Sequence, residues 1–351
     1  MGRQSALLAA RARFPPPRTM KVLRSPAALP PATAACIGAF DGLHRGHQAL
    51  LRRAAELARR VALVTFDPHP AQVLLGPRAP ALLQTPSQRE RVCMSLGVDD
   101  LVLLPFTTTT AAMPPSEFVD AFLLEGLRPA AVVVGDDFRF GAGRAGDTAA
   151  LARLVAPAGI PVDIVPVVRD DASGGKLGSS GIRAAVAAGE VESIWTALGR
   201  HYAVEGTVVH GAGRGRRLGI PTANVACPGA LLPRPGVYAA ALVVVDPGSP
   251  LHGRVWPATA NLGTNPTFVA DPGAPLSLEA HVLGVDLGDR LYDVQVEVAF
   301  LARLRDEMRF PGAAALRAQI DRDLAAAAHH HDAATMARVL PPPPLASREA
   351  K

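Results

Sequence analysis

Short, continuous apolar runs alternate with helical patterns between about residue 34 and residue 170. Continuous apolar runs are typical of strands that are buried on both faces, as in a parallel sheet covered by helices. The runs predict strands at 35–40, 61–66, 101–106, 131–134 and 162–168. Start and stop residues predict helices at about 46–59, 87–97 and 116–126. This rhythm predicts an α/β domain with a doubly wound parallel sheet, in a Rossmann-like arrangement.

The pattern changes after two short predicted helices that end at Gly189 and Gly199. Apolar runs then follow one another at 203–209, 237–245, 255–261, 277–283 and 294–300, separated by Pro/Gly turns. Strands at this spacing predict an antiparallel β-barrel, which a helix at about 312–327 closes. We therefore place one domain at residues 20–187 and a second at 188–332. Residues 1–19 form a disordered or misannotated extension, and 333–351 form a flexible tail.

The composition fits two globular domains and no membrane span. The chain has 351 residues, of which 49% are hydrophobic and 19% are charged. No apolar run reaches the roughly 18 residues that a membrane helix needs. Cys36, Cys93 and Cys227 are odd in number and far apart, so they suggest neither a disulfide framework nor a metal knuckle. We therefore expect a reducing, cytoplasmic location.

The charge pattern favours small-molecule partners over nucleic acid. The formal net charge is +5, and only three of the 36 basic residues are lysines. The basic residues are scattered and no helix carries a continuous basic stripe, so nucleic-acid binding is not predicted. Weak self-association stays open. Residues 1–19 are rich in arginine and lack acidic residues, as in a transit peptide, but a start at Met20 is the better interpretation.

The densest candidate chemistry follows the first predicted strand, in the segment Ile37-Gly38-Ala39-Phe40-Asp41-Gly42-Leu43-His44-Arg45-Gly46-His47. Its three glycines let the backbone approach a ligand closely. The helix that begins near Gly46 directs its N-terminal amides and positive dipole end at the strand tip, where an anion binds well. His44 and His47 are three residues apart and face the same way on a helical turn. Two imidazoles in this position suit the phosphates of a nucleotide.

A second glycine-rich segment, from Gly141 to Gly146, fits the spacing GxGxxG. A dinucleotide-binding fingerprint follows its strand immediately, whereas residues 136–140 intervene here. We therefore interpret this segment as a loop, and a dehydrogenase is not predicted.

The second half of the chain holds a candidate phosphate and metal motif. A Gly/Arg-rich loop with Gly215 and Gly219 precedes Pro221-Thr222-Ala223-Asn224, and no GxxxxGK[ST] motif occurs anywhere. Backbone amides and forked arginines in such a loop can wrap phosphates. Thr222 and Asn224 share one face of a strand, and their neutral oxygens together with ATP phosphates suit Mg²⁺. Read alone, the Pro-Thr-Ala-Asn segment is more often a turn.

Further motifs occur in a fixed order from Met20 to about Asp323. They include Thr65-Phe66-Asp67-Pro68-His69-Pro70, Gly135-Asp136-Asp137-Phe138-Arg139-Phe140-Gly141, Leu177-Gly178-Ser179-Ser180-Gly181-Ile182-Arg183, Leu278-Glu279-Ala280-His281 and Leu304-Arg305-Asp306-Glu307-Met308-Arg309-Phe310. With the GxFDGxHxGH segment at the first strand, they resemble the motifs of the bacterial bifunctional riboflavin kinase/FAD synthetase family. The resemblance implies ATP-dependent phosphorylation of riboflavin to FMN, followed by adenylylation of FMN to FAD with release of pyrophosphate.

The resemblance also implies roles for residues of the first domain. His44 and His47 would hold the phosphates of ATP, and Arg183 would grip the leaving pyrophosphate. Asp67 would contact the flavin. The remaining expected ATP contacts are Gly38, Phe40, Asp41, Asp137, Ser179 and Ser180.

In the second domain, the resemblance implies that Thr222 and Asn224 bind Mg²⁺ and that Glu279 is the catalytic base, and we expect these groups to converge inside the barrel. A weakly acidic riboflavin hydroxyl benefits from a carboxylate that accepts its proton. Gly215, Gly219, Pro221 and Thr222 would bind ATP in this domain. Arg305, Asp306 and Phe310 would bind the flavin, with Phe310 and Arg305 stacking against its ring.

Three positions depart from the family pattern: Ala39 stands for Asn, Gly178 for Ser and Asp293 for Gly. Ser180 also replaces a Thr but keeps the hydroxyl. Two alternatives stay open: a non-catalytic flavin-binding protein that kept the fold, and a nucleotidyltransferase for another substrate with an unrelated barrel. The presence of His44, His47 and Glu279 argues against the first. The kinase-type motifs of the barrel argue against the second.

Overall fold

The computed structural model describes residues 19–169, 174–211, 219–264 and 276–340. Within these residues the contacts divide the chain into two compact units, which comprise 19–82 with 86–179 and 83–85 with 180–340. The division falls earlier than the predicted boundary near residue 187, because Ile182 and Val186 on the helix Ser179–Ala188 pack in the core of the second unit. Gly215 and residues 1–18 lie outside the described residues.

The first unit is built on a six-stranded sheet in which every pairing is parallel. Its strands are β1 Lys21–Leu23, β2 Thr33–Ile37, β3 Arg60–Asp67, β4 Asp100–Pro105, β5 Ala131–Gly135 and β6 Val162–Val165, in the spatial order β1-β4-β3-β2-β5-β6. The predicted parallel sheet is confirmed. The three-residue edge strand β1 was not predicted, because it is too short to show a periodic pattern.

Helices cover both faces of this sheet. They are α1 Arg45–Leu57, α2 Pro70–Leu75, α3 Pro86–Ser95, α4 Thr108–Ala112, α5 Pro115–Phe118 with a π-helical continuation Val119–Leu127, and α6 Thr148–Val155. The core divides into two apolar clusters, and strands β2 to β5 contribute to both of them. Burial on both faces explains why these strands read as continuous apolar runs.

The order of the strands reverses direction at β2. From β2 the chain proceeds to β3 and β4 on one side, and later to β5 and β6 on the other. In open α/β sheets, ligands bind outside the carboxyl ends of the strands at such a reversal. The loop after β2, which carries the two histidines, therefore lies where a nucleotide site is expected.

The second unit is a closed antiparallel barrel, as predicted. Its strands are β7 Tyr202–Val209, β8 Ala223–Ala226, β9 Gly236–Val244, β10 Val255–Thr264, β11 Leu276–Val282 and β12 Gln295–Arg305, in the order β10-β11-β8-β7-β12-β9. Each strand contributes alternate residues to one interior core, where Tyr238 and Phe300 are the largest fully buried side chains. Strand β8 was not among the predicted apolar runs, because Pro221 and the polar Thr222 and Asn224 give this segment the pattern of a turn.

Helices α7 Ser179–Ala188 and α8 Val191–Leu198 precede the barrel, and α9 Ala313–Ala328 and α10 Ala333–Ala337 follow it. A second apolar cluster forms on the outer face of β9, β10 and β12, where Ala327 of α9 and Val339 pack. Val339 is 3% exposed. The predicted tail 333–351 is described to Leu340, and this part contains a helix because its apolar residues cover the outer cluster.

Asp293 adopts a left-handed backbone conformation, with φ of 61°. The residue lies just before β12, and its amide donates a 2.9 Å hydrogen bond to the carbonyl of Val208. Glycine reaches this region without the steric cost that a Cβ imposes, and Asp tolerates it better than most residues. The departure from glycine at this position therefore retains the turn.

We predict that Asp293→Ala lowers the free energy of unfolding by about 1 kcal/mol, because alanine lacks the local hydrogen bonding that helps Asp tolerate positive φ. Asp293→Gly serves as the matched variant and should be at least as stable as the original chain. Thermal unfolding monitored by circular dichroism measures both. Equal stability of the Ala and Gly variants would contradict the argument.

Two buried histidines anchor the C-terminal part of the barrel unit. His201 is 4% exposed, and its amide donates to the carbonyl of Arg338 at 3.0 Å. Burial, and then the charge of Arg338, lower the pKa of His201 to about 4. His331 is 8% exposed, and its Nε2 lies 2.9 Å from the carbonyl of Ala240. Burial also lowers its pKa, so both imidazoles are neutral in the folded chain near neutral pH.

This predicts loss of stability on acidification. The unfolded chain binds a proton at His201 below its ordinary pKa of about 6.5, whereas the folded chain resists it until about pH 4. Between pH 7 and pH 5 we expect His201 to cost the barrel unit about 1–2 kcal/mol. His201→Gln should reduce the difference between the free energies of unfolding that urea titrations give at pH 7 and at pH 5. His252→Gln, at an exposed position of the same unit, should leave it unchanged.

Candidate active sites

A tightly wound loop links strand β2 to helix α1. Phe40, Gly42 and Leu43 have φ of 46°, 87° and 43°. Thr65 Oγ1 donates to the carbonyl of Ala39 at 3.0 Å, and the amide of Gly38 donates to the carbonyl of Val64 at 3.1 Å. Strained backbone that is held by neighbouring strands concentrates at functional sites. The sheet therefore fixes the path of this loop up to the start of the helix.

His44 and His47 lie at the first turn of helix α1, with their rings stacked. The ring centroids are 3.6 Å apart at an interplanar angle of 20°. His44 is the N-cap residue, and its Nδ1 accepts from the amide of His47 at 3.4 Å, which leaves Nε2 as the donor atom of a neutral ring. A Cβ at position 46 would lie 3.0 Å from the His44 ring, so Gly46 gives the imidazole its space.

His47 is enclosed beside Phe40 and His44. Phe40 packs edge-on against its ring at 5.0 Å between centroids. Its Nδ1 is buried and has no hydrogen-bond partner among the described residues. Burial, followed by the charges of His44 and Lys176, holds the pKa of His47 well below its ordinary value. A neutral imidazole with a free ring nitrogen beside a helix N-terminus can bind an anion.

Of the other residues expected at this site, some belong to the sheet unit and others belong to the barrel unit. Ser179 Oγ donates to the carbonyl of Asp41 at 2.8 Å, so the structure brings that motif to the loop. Asp137 follows β5 and forms an ion pair with Lys176. Ser180 and Arg183 continue on helix α7 and belong to the barrel unit.

Asp67 ends strand β3 and pairs with Arg24 at 3.6 Å, so it lies at the same edge of the sheet as the histidine loop. The segment 141–146 forms a short turn closed by pairing of Phe140 with Gly146. This confirms a loop in place of a dinucleotide fingerprint.

An aromatic cluster at the carboxyl edge of the sheet was missed. Phe66 and Phe106 meet edge to face at 5.4 Å between ring centroids, and Phe138 stacks on Phe140 at 5.5 Å. Phe118 connects the two pairs. Phe66, Phe106 and Phe138 are only partly buried. The sequence did contain a signal for this cluster, because each of these three residues comes at or just after the end of a strand.

Paired strands of the barrel bring Glu279 and Asn224 together. Glu279 of β11 lies directly opposite Asn224 of β8, and on its other side opposite Asn261 of β10. Adjacent strands are about 4.8 Å apart, so side chains on one face of such a row are in reach of one another. The row continues through Val237 of β9 to Arg305 of β12. One line of neighbours thus joins the expected metal, base and flavin residues.

This row lies on the outer face of the barrel. Leu278 and Ala280, which flank Glu279 along the strand, both belong to the interior core. Sequence reasoning expected the carboxylate to converge with its partners inside the barrel. That placement was wrong, because the interior is filled by apolar side chains from all six strands.

Thr222 lies directly before β8, two residues before Asn224. The amide of Asn224 occupies the space that a Cβ at Gly211 would fill. The chain thus cradles this oxygen donor beside Glu279, and two neutral oxygens next to one carboxylate fit the hard-oxygen preference of Mg²⁺. His281 Nδ1 lies 2.7 Å from the carbonyl of Pro221 and holds this segment against β11. Gly219, with φ of 72°, begins it.

The expected flavin residues lie at the end of β12. Both nitrogens of one edge of the Arg305 guanidinium donate to Asp323 of helix α9, at 2.9 and 2.7 Å. The Cζ of Arg305 lies 5.9 Å from the ring centroid of Phe310. Asp306 pairs with Arg303 at 2.6 Å and with Arg234 at 3.2 Å, and these contacts lower its pKa. The expected stacking faces are therefore adjacent, and Arg305 is fixed by a bidentate ion pair.

No group of three or more His, Cys, Asp or Glu residues in the described part of the chain is arranged to hold a metal ion. In the short polar run at residues 329–331, His331 is buried. Its ring bonds a strand carbonyl, because helix α9 places it against β9.

Two features define the class of this protein. They are the loop after β2 with its stacked histidines, and the row of residues on the barrel that contains Asn224 and Glu279. Together they define a two-domain, nucleotide-dependent transferase. Comparison with known proteins agrees with this class. A family model described as FAD synthetase matches residues 27–180, and one described as riboflavin kinase matches residues 198–331. The bifunctional riboflavin kinase/FMN adenylyltransferase of Pseudomonas fluorescens is 38% identical over 296 residues, 83% of this chain and 91% of the relative.

The protein of the same description from Escherichia coli K12 is 36% identical over 291 residues, 82% of this chain and 89% of the relative. This chain belongs to the bifunctional riboflavin kinase/FMN adenylyltransferase family. A crystal structure described as a macrolide-efflux protein from Streptococcus pneumoniae resembles it with a TM-score of 0.77 at 28% identity, covering 88% of this chain and 98% of that chain. Within the described residues, no helix is both long and apolar enough to cross a membrane.

Proposed function

We propose that the chain phosphorylates riboflavin to FMN on the barrel unit and adenylylates FMN to FAD on the sheet unit, using ATP in both steps. The pairing of Glu279 with Asn224 across β8 and β11 carries the first assignment. The second assignment depends on the stacked histidines in the loop after β2, where the strand order reverses. Each unit thus holds its own candidate chemistry.

In the adenylyl transfer, a phosphate oxygen of FMN attacks the α-phosphorus of ATP and pyrophosphate leaves. The attacking phosphate is already ionised near neutral pH, so positioning and charge neutralisation dominate and no strong base is needed. His44 Nε2 and the ring of His47 donate to the ATP phosphates.

The remaining ATP contacts come from the tight loop and from the two motifs that flank it. The backbone at Gly38 and Phe40, with Asp41, lines the site. Asp137 and the hydroxyl of Ser179 complete it. The partly buried Phe66, Phe106 and Phe138 offer aromatic faces to the flavin ring beside Asp67, since stacked rings gain both burial and favourable ring–ring geometry.

In the kinase step, Glu279 accepts the proton of the riboflavin 5′-hydroxyl as the hydroxyl oxygen attacks the γ-phosphorus of ATP, and ADP leaves. A carboxylate in hydrogen-bond reach of a weakly acidic hydroxyl is suited to this role. Thr222 and Asn224 would hold Mg²⁺, which neutralises phosphate charge when bound. Gly215, Gly219 and Pro221 would bind the ATP phosphates.

The row on the barrel surface supports a flavin position in line with the proposed base. Arg305 lies in the same row as Glu279, two strands beyond Asn261, and its pair with Asp323 fixes its plane. Arg305, Asp306 and Phe310 would therefore hold the flavin so that its ribityl chain extends toward Glu279. We place both reactions in the cytoplasm, in keeping with three cysteines that form no disulfide.

Reciprocal variants test the assignment of two separate sites. Glu279→Gln should lower riboflavin phosphorylation at least 100-fold and leave FAD formation from supplied FMN unchanged, because it removes only the proton acceptor. His47→Ala should lower FAD formation about 100-fold and spare phosphorylation. Product formation from riboflavin and from FMN, followed by chromatography and mass spectrometry, measures both. Equal loss of both activities in either variant would refute separate sites.

Gly211→Ala tests the cradle around Asn224. The added methyl group displaces the amide, so we expect riboflavin phosphorylation to fall about 10-fold or more, with a shift to higher Mg²⁺ requirement. Gly312→Ala is the matched control, since a Cβ there meets nothing within 4 Å. Normal Mg²⁺ dependence in Gly211→Ala would remove Asn224 from the metal site.

A further inference from the structure

Arg303 lies near the end of strand β12 in a slot that two glycines leave open. Its side chain is only 18% exposed. A Cβ at Gly189, just after helix α7, would lie 2.9 Å from the Cδ of Arg303, and a Cβ at Gly236, the first residue of β9, would lie 2.9 Å from its Nη2. Arginine is almost never enclosed in this way unless its charge is paired. The barrel unit is therefore shaped around this one cation.

The enclosed arginine joins four parts of the barrel unit. Its Nη2 donates to the carbonyl of Pro235 at 2.8 Å and to Oδ1 of Asp306 at 2.6 Å. Its Cζ lies 6.0 Å from the ring centroid of Tyr238, within the range of a cation–π contact. Its backbone amide donates to Oε1 of Glu192 on helix α8 at 2.7 Å. These contacts fix both the backbone and the guanidinium of Arg303.

The strand changes register at this point. Arg303 lies opposite Tyr238 and Arg305 opposite Val237, with a register shift between the two arginines. Bulges of this kind redirect a strand and are common beside active sites. Asp306 is the first residue after β12, so its bond with Arg303 ties the outgoing chain back to the strand across the shift.

Asp306 is held through one oxygen only. Arg303 and Arg234 both pair with its Oδ1, at 2.6 and 3.2 Å. Its Oδ2 has no protein partner within the described ranges, and the side chain is 65% exposed. The hydrogen bond from Arg303, followed by the charge of Arg234, lowers the pKa of Asp306. Its second oxygen is therefore a charged acceptor that can take an N–H or O–H of a flavin.

We propose that Arg303 is a positioning residue for riboflavin phosphorylation, which acts through Asp306 to hold residues 305–310 in the arrangement that binds the flavin. Arg303 touches no reacting atom, so it sets the affinity for riboflavin and leaves the chemical step unchanged. The inference deepens the proposed function, on which it rests.

The enclosure of Arg303 is what makes its pair with Asp306 effective. Arg234 pairs with the same carboxylate but is 55% exposed, and exposed pairs contribute little because water and side-chain freedom compete with them. Arg303 is already held by a carbonyl and a ring, so its planar guanidinium loses little freedom when it binds Asp306.

The test uses the full chain and the initial rate of FMN formation from riboflavin and ATP. Arg303→Met keeps a long, flexible side chain in the slot and removes the hydrogen bonds. The KM for riboflavin should rise about 10-fold, the range expected for loss of a charge-assisted hydrogen bond. The KM for ATP and kcat should stay within about 2-fold. Arg303→Lys should give an intermediate KM for riboflavin, because it keeps the charge without the planar fork.

Arg254→Met is the matched control. Arg254 directly precedes Val255, which lies opposite Val243, whereas Arg303 lies opposite Tyr238, five residues away along β9. This variant removes the same charge from the same unit and should leave both KM values unchanged. An unchanged KM for riboflavin in Arg303→Met would overturn the proposal. An equal rise in the KM for riboflavin and the KM for ATP would also overturn it, since that result indicates general damage to the barrel.

A double variant tests whether Arg303 acts through Asp306. If it does, Arg303→Met combined with Asp306→Asn should have the KM for riboflavin of Asp306→Asn alone, within about 2-fold. A further 10-fold rise in the double variant would refute the route through Asp306.

Failure of the original chain to phosphorylate riboflavin would count against the proposed function. Equilibrium dialysis of riboflavin against the original chain and Arg303→Met would then decide the role of the arginine, because weaker binding by the variant supports it and equal binding contradicts it.

Discussion

The first turn of helix α1 is the constraint on which the adenylyl-transfer half depends. Its position is set by the parallel pairing of β2 with β3 and β5, which fixes the strand end from which the loop departs. Its N-terminal amides, the capping His44 and the stacked His47 then converge with no acidic residue in the first turn. The concentration of positive potential that results is useful only to a ligand with several negative charges.

The barrel brings its candidate residues together in a different way. Its candidate residues belong to different strands, and backbone register brings them into one row. Because side chains alternate along a strand, the register also decides that Glu279 and Asn224 share the outer face while Leu278 and Ala280 fill the interior. Apolar side chains fill the interior, and the candidate residues lie on the outer surface.

The two sites also differ in how their charges are balanced. The sheet unit offers a helix N-terminus and imidazole hydrogen-bond donors, which suits transfer onto a phosphate that is already ionised. The barrel unit sets a carboxylate beside neutral oxygens, which suits a hydroxyl nucleophile that must lose a proton. On the proposed assignment, the electrostatics of the two candidate sites match two different nucleophiles.

Local patterns in the sequence determined most of the elements and the identity of the reactive groups. Continuous apolar runs marked the buried strands, and the glycine spacing around His44 and His47 marked the first site, because these signals depend on neighbours in the chain. The apolar pattern did not reveal edge strand β1 or strand β8, because a segment of three or four residues with polar or proline neighbours shows no periodicity. Only the tertiary structure decided that Glu279 faces outward opposite Asn224, that Phe66, Phe106 and Phe138 gather at one edge, and that Lys176 meets Asp137. Those placements depend on pairing between distant segments and on the filled apolar core, and neither of these is written in local spacing.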